Sequence, residues 1–178
     1  MLSGDIYGIP GEDPLQQFEI TVPSNASGSE TIDGWEFALQ HFFGETGFGI
    51  NVNYTKVDAT NPVDLFDLGA QEPIEGISDS ANFIGFWEND EWSVKLAYNW
   101  RDDYLDAIGI NSQPYIVEEY AQFDANVSYN FNDNLTFSLE AINITDEYTR
   151  VHGRNQNAAF FVTTTGPRFM IGARYDFF

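Results

Sequence analysis

The sequence predicts an all-β fold of antiparallel, up-and-down transmembrane β-barrel strands, about eight in number. Three observations predict it. Apolar and polar residues alternate with period two over runs of about 9 to 11 residues, the length that crosses hydrocarbon at a tilt. Tight turns and long connections follow one another in strict succession, and the acidic excess of the composition lies mainly in the long connections. Period two sends successive side chains to opposite faces of a strand, whereas helical spacing would mix the two sets.

Residues 1–14 form an irregular, acidic, Gly/Pro-rich start without the basic end and apolar run of a secretory signal. Residues 15–178 read as the barrel segment. Its first strand, near 15–22, sets Phe18, Ile20 and Val22 against Gln17, Glu19 and Thr21. The second, near 31–43, sets Trp35, Phe37 and Leu39 against Gly34, Glu36, Ala38 and Gln40. The third, near 48–58, sets Phe48, Ile50, Val52 and Tyr54 against Gly49, Asn51, Asn53 and Thr55. A fourth, near 77–88, carries apolar residues in both phases, so its faces stay unassigned. In the fifth, near 91–102, Trp92, Val94, Leu96, Tyr98 and Trp100 alternate with Ser93, Lys95, Ala97, Asn99 and Arg101. The sixth, near 118–131, pairs Phe123, Ala125, Val127, Tyr129 and Phe131 with a wholly polar opposite face. The seventh, near 134–145, presents Leu135, Phe137, Leu139 and Ala141. The eighth, near 162–178, presents Phe169, Ile171, Ala173, Tyr175 and Phe177.

Gly44-Glu45-Thr46-Gly47, Asn89-Asp90 and Asn132-Asp133 are tight hairpin signals. The connections 59–76, 103–117 and 146–161 are long and all fall at the opposite end of the sheet. Short turns at one end and long loops at the other mark an outer-membrane barrel.

Charge points the same way. The 178 residues carry 28 Asp and Glu against 7 Lys and Arg, a net charge of −21. That balance repels a phosphate backbone and excludes nucleic acid as a partner. An aromatic content of 16% is foreign to acidic disordered chains. The absence of cysteine excludes disulfides and thiolate metal sites. Mean hydropathy is −0.30, and no run of 18 apolar residues is present, which excludes a spanning helix but not spanning strands. On the polar faces Glu36, Asp124, Glu140 and Asp176 balance Lys95, Arg101, Arg168 and Arg174, as an enclosed lumen requires. Asp58, Asp64, Asp67, Glu72 and Glu75 lie in or beside the first long connection, and Asp102, Asp103, Asp106, Glu118 and Glu119 in or beside the second. The apolar faces are free of charge except for Lys56, close enough to a rim to snorkel. A soluble, lectin-like β-sandwich also alternates, but its strands usually run about 5 to 6 residues.

The sequence resembles the C-terminal part of a TonB-dependent outer-membrane receptor. The resemblance rests on Asp33-Gly34-Trp35-Glu36-Phe37, Asn51-Val52-Asn53-Tyr54-Thr55 and Ser80-Ala81-Asn82-Phe83. It continues through Leu96-Ala97-Tyr98-Asn99-Trp100-Arg101-Asp102-Asp103-Tyr104 and Glu140-Ala141-Ile142-Asn143-Ile144-Thr145-Asp146-Glu147 to the end, Gly166 to Phe178. It implies a twenty-two-stranded barrel in the outer membrane of a Gram-negative bacterium, filled by an N-terminal plug and taking up a scarce nutrient with energy relayed by TonB. It also implies the barrel-assembly machinery as a partner, reading terminal aromatics that match Phe169, Ile171, Tyr175, Phe177 and Phe178. These 178 residues hold about the last eight strands, with no plug or TonB-contacting box. The expectation is therefore a truncated receptor, a gene fragment or one piece of a split gene. The alternative is a small eight-stranded structural or adhesive barrel.

Ligand-facing candidates are Asn99 and Arg101 on the polar face near the outer rim, and Tyr148, Arg150, His152 and Arg154 in the third long connection. The last set mixes an aromatic ring with donors, suited to an anionic siderophore or a sugar, although a packed lumen and a solvated loop explain both sets as well. No GxSxG, HExxH or phosphate-cradling loop is present, no cofactor is called for, and an enzyme is not expected.

Overall fold

The computed structural model describes residues 29–177. Eleven strands follow in order: β1 (Ile32–Phe42), β2 (Phe48–Ala59), β3 (Ser80–Glu88), β4 (Trp92–Arg101), β5 (Tyr104–Ile108), β6 (Pro114–Val117), β7 (Tyr120–Asn132), β8 (Leu135–Ile142), β9 (Thr149–His152), β10 (Ala159–Thr163) and β11 (Arg168–Tyr175). Seven of them form one antiparallel sheet in the order β1-β2-β3-β4-β7-β8-β11, and four form a second in the order β10-β9-β6-β5. The first sheet is the predicted up-and-down wall. The strand expected near 15–22 and the terminal Phe178 lie outside the described residues.

Register carries one apolar face across the whole wall. The row Leu39–Val52–Phe83–Tyr98–Phe123 runs from β1 to β7, and Val94–Val127–Leu139–Ile171 from β4 to β11. The same register assigns the faces of β3. Ala81, Phe83, Gly85 and Trp87 join the apolar face, while Ser80, Asn82, Ile84 and Phe86 join the polar one. No second layer covers the apolar face among the described residues: Leu96 is 49% exposed and Ile171 87%. A sandwich would bury such side chains against a facing sheet, whereas a barrel wall presents them to lipid. β4, with 10 residues, and β2, with 12, are long enough to cross. Aromatic pairs mark both edges of the band: Trp92 with Tyr129 and Phe48 with Trp87 at the short turns, and Trp35 with Tyr54 at the other end.

The sheet is open among these residues, with β1 and β11 at its edges. Seven strands therefore do not close into the small barrel of the alternative expectation. Unpaired backbone groups in hydrocarbon each cost several kcal/mol, so in a membrane both edges require further strands.

Two expected loops turn out to be ordered, and one expected strand is divided. Residues 103–117 and 146–161 contain the β5–β6 hairpin, β9 and the start of β10. The strand expected over 162–178 starts at Arg168, because 159–163 pair with β9 in the second sheet. β5 and β6 prolong β4 and β7, and β9 and β10 prolong β8 and β11, so the second sheet continues the wall past the outer rim. Ile116 opposite His152 and Val117 opposite Val151 join the two hairpins. Leu105, Ile116, Val117 and Val151 are buried there, giving this extension a small core of its own.

Candidate functional site

The polar face carries a connected hydrogen-bond network. Asn82 Nδ2 donates to Asn99 Oδ1 at 2.5 Å, and Asn99 Nδ2 donates to Asp124 Oδ2 at 3.2 Å. Gln122 Nε2 donates to the other Asp124 oxygen at 2.6 Å, and the Tyr120 hydroxyl donates to Gln122 Oε1 at 2.7 Å. The backbone N–H of Asn143 also donates to Asp124, at 2.9 Å. The network supplies donors to both oxygens of this inward carboxyl group.

Above it, where the two sheets meet, lies a cavity of about 430 Å³ lined by Asp103, Glu118, Glu119, Glu147, His152 and Gln156. His152 is 5% exposed, and its Nδ1 lies 2.6 Å from the Gly153 carbonyl oxygen. A carbonyl only accepts, so Nδ1 donates to it, while Nε2 lies 3.9 Å from Glu118. Glu118 pairs with the Arg150 guanidinium, which also donates to the Gln156 carbonyl at 2.6 Å. Glu119 accepts from the Trp100 indole N–H at 2.6 Å. Burial, together with a hydrogen bond to Asp102 and the charge of Asp102, pushes the Asp103 carboxyl above the ordinary carboxylate value. The cavity is thus lined mainly by carboxyl groups.

A second cavity of about 400 Å³, bordered by Lys56, Asp58, Asp79, Asp102, Asp103 and Tyr104, lies beside it. Burial raises the Asp79 carboxyl, but the Val57 N–H at 3.0 Å, the Lys56 ammonium at 3.1 Å and the Tyr54 hydroxyl at 3.4 Å outweigh it. The net shift is downward. Asp79 therefore stabilises the fold above its unfolded-state value, and that contribution is lost as pH falls through the folded one.

The sequence-predicted residues divide between these places. Asn99 belongs to the inner network. Arg101 lies over the Tyr104 ring at 3.7 Å and donates to the Gly76 carbonyl at 3.3 Å. Arg150 and His152 belong to β9 rather than to a loop, and only His152 of the predicted set lines the first cavity. Tyr148 is half-exposed beside it in sequence. Arg154 donates to the carbonyls of Leu65 at 2.9 Å, Ser112 at 2.6 Å and Asp67, so it fastens three connections together. Arg154→Ala is expected to raise the rate of proteolytic cleavage within 60–79 about tenfold, the effect of losing one or two charge-assisted hydrogen bonds. Peptide mapping of limited digests, with β-sheet circular dichroism as a control, checks this.

Glu147 and Asp124 were not singled out as site residues by sequence reasoning. Asp103, Glu118 and Glu119 read as hydrated loop charge, since nothing local announces that hairpins bring them together. The one available signal was Asn143-Ile144-Thr145-Asp146, a polar turn set directly against a strand.

An open antiparallel wall with an uncovered apolar face, aromatic borders and a hydrogen-bonded inner face defines a membrane-spanning β-barrel protein. Residues 3–144 match the family described as TonB dependent receptor-like, beta-barrel. The chain belongs to that family, whose members are outer-membrane receptors and transporters rather than enzymes. Comparison with curated proteins and with solved structures gives no match.

Proposed function

We propose that the chain forms the C-terminal barrel wall of a receptor that takes up a scarce nutrient across the outer membrane with energy relayed by TonB. In this reading the outer-rim cavity is where the nutrient first touches this part of the wall. TonB contacts run through a plug upstream of the barrel, so uptake belongs to wall and plug together. The β11 end, with Phe169, Ile171, Tyr175, Phe177 and Phe178, serves as the recognition segment for the barrel-assembly machinery. Tyr175 and Phe177 meet edge to face with ring centroids 5.0 Å apart and Phe177 80% exposed, which suits a segment read by another protein.

The observation that carries the ligand class is the acceptor lining of the cavity. Arg150 and Arg154, the donors that would bind an anionic siderophore, are engaged with Glu118 and with backbone carbonyls. What remains is Glu147, Asp103 and Glu119, whose carboxyl oxygens are suited to accept from hydroxyl groups. This favours a neutral, polyhydroxylated ligand such as an oligosaccharide.

Outer membranes bearing the native protein are expected to bind an oligosaccharide from a labelled panel saturably. Glu147→Gln should raise its Kd about tenfold, the effect of replacing one charged acceptor by a neutral one. Saturable binding of an anionic ferric siderophore, with no saccharide bound, overturns the ligand assignment.

A further inference from the structure

We infer that the lipid-facing wall holds a discrete seat for one acyl chain of an amine-bearing zwitterionic phospholipid, centred on Gly85. This goes beyond uptake and is independent of which nutrient the rim accepts. Gly85 stands on the apolar face between Ile50 and Leu96 in register. Its missing side chain leaves a groove of about 280 Å³, walled by Phe43, Phe48, Ile50, Trp87, Val94 and Leu96. A methyl group built at Gly85 would find only the Phe83 ring within reach, at 3.8 Å. The position is therefore open rather than filled by a neighbour. Ile50 and Leu96 stand out on either side in the same row, and between them the backbone itself forms the floor.

Lipid covers this face by the nature of the family, so the occupant is a lipid tail. Tails are as apolar as leucine, so what distinguishes a seated tail from a bulk one is close packing along the groove, with Phe48 and Trp87 rings at one end. The groove lies at the short-turn end, which faces the periplasm in such barrels. Charge there selects the headgroup. Glu45, Asp90 and Glu91 lie in the two adjoining turns. The nearest cation in sequence, Lys95, is on the polar face and 3.5 Å from Glu88. Uncompensated carboxylates at that rim attract an ammonium headgroup and repel a net anionic one.

The test is native mass spectrometry of the protein extracted in mild detergent from the outer membrane in which it assembles, then exposed to phosphatidylethanolamine or phosphatidylglycerol. The wild type is expected to retain one phosphatidylethanolamine in preference to phosphatidylglycerol. Gly85→Leu should lower that retention about tenfold by filling the groove, while Ala173→Leu, on the same face of β11 but outside the groove, should leave it unchanged. Equal retention by Gly85→Leu, the same loss in Ala173→Leu, or a preference for phosphatidylglycerol overturns the inference. Gly85→Ala adds one methyl group into open space and keeps the wall intact. It should give intermediate retention, and undiminished retention together with a Gly85→Leu protein that fails to assemble counts against the seat.

Discussion

Leu96→Arg is expected to lower the stability of the wall in a bilayer by about 2 to 4 kcal/mol, the cost of a cation on the lipid face near the midplane. Leu96 is the fifth of ten residues in β4, so neither rim is close enough for the guanidinium to reach by snorkelling without distortion. Its cross-strand neighbours are Gly85 and Ala125, neither of which offers a hydrogen bond from its side chain. Asn99→Arg, three residues further on and on the opposite face, should cost only about 1 kcal/mol. It sacrifices the acceptor used by Asn82, but Asp124 remains as a partner for the new cation. Denaturant titration of both variants in lipid vesicles, beside the wild type, checks the difference. Equal losses would mean that the two faces are not lipid and lumen.

The second large effect is expected at the top of β8. Asn143 is 1% exposed and adopts φ 57°, the left-handed region. Its amide spans the turn: Nδ2 donates to the Glu147 carbonyl at 2.9 Å, and Oδ1 accepts from the Glu147 N–H at 2.8 Å. Asn143→Ala removes both bonds and leaves buried backbone groups unpaired, and alanine is poorly suited to positive φ. The sum is about 3 kcal/mol. Asn143→Gly loses the same bonds but tolerates the backbone angle, so it should be milder by about 1 kcal/mol. Hydrogen exchange at the Glu147 amide should quicken in both. Because Glu147 lines the rim cavity, ligand affinity should fall in parallel, which links the turn to the site.

Much of the wall was legible because a strand between lipid and lumen has one wholly apolar face and one polar face, and in β4 and β7 that contrast lasts the full crossing. The contrast weakens in β3, where Ile84 and Phe86 put apolar side chains on the inner face. Only the register with β2 and β4 assigns that strand. Above the rim the rule ceases to apply. β9 and β10 are four and five residues long, and Ala159 to Val162 are apolar in both phases, so no period emerges. The Arg154 clamp joins residues far apart in sequence through backbone carbonyls, which every residue possesses, so no residue type marks its partners. The acidic cavity was visible only as an excess of charge, because proximity between Glu118 and His152 depends on how the two hairpins pair.

Pairing of β6 with β9 has a mechanical consequence. Two hairpins that share hydrogen bonds and a common core cannot swing separately, so this part of the mouth behaves as a stiff parapet. What freedom the mouth retains falls instead to the stretch 61–74, fastened by the guanidinium of Arg154 to Leu65 and Asp67, since Glu75 and Gly76 are already bonded to the β5–β6 hairpin.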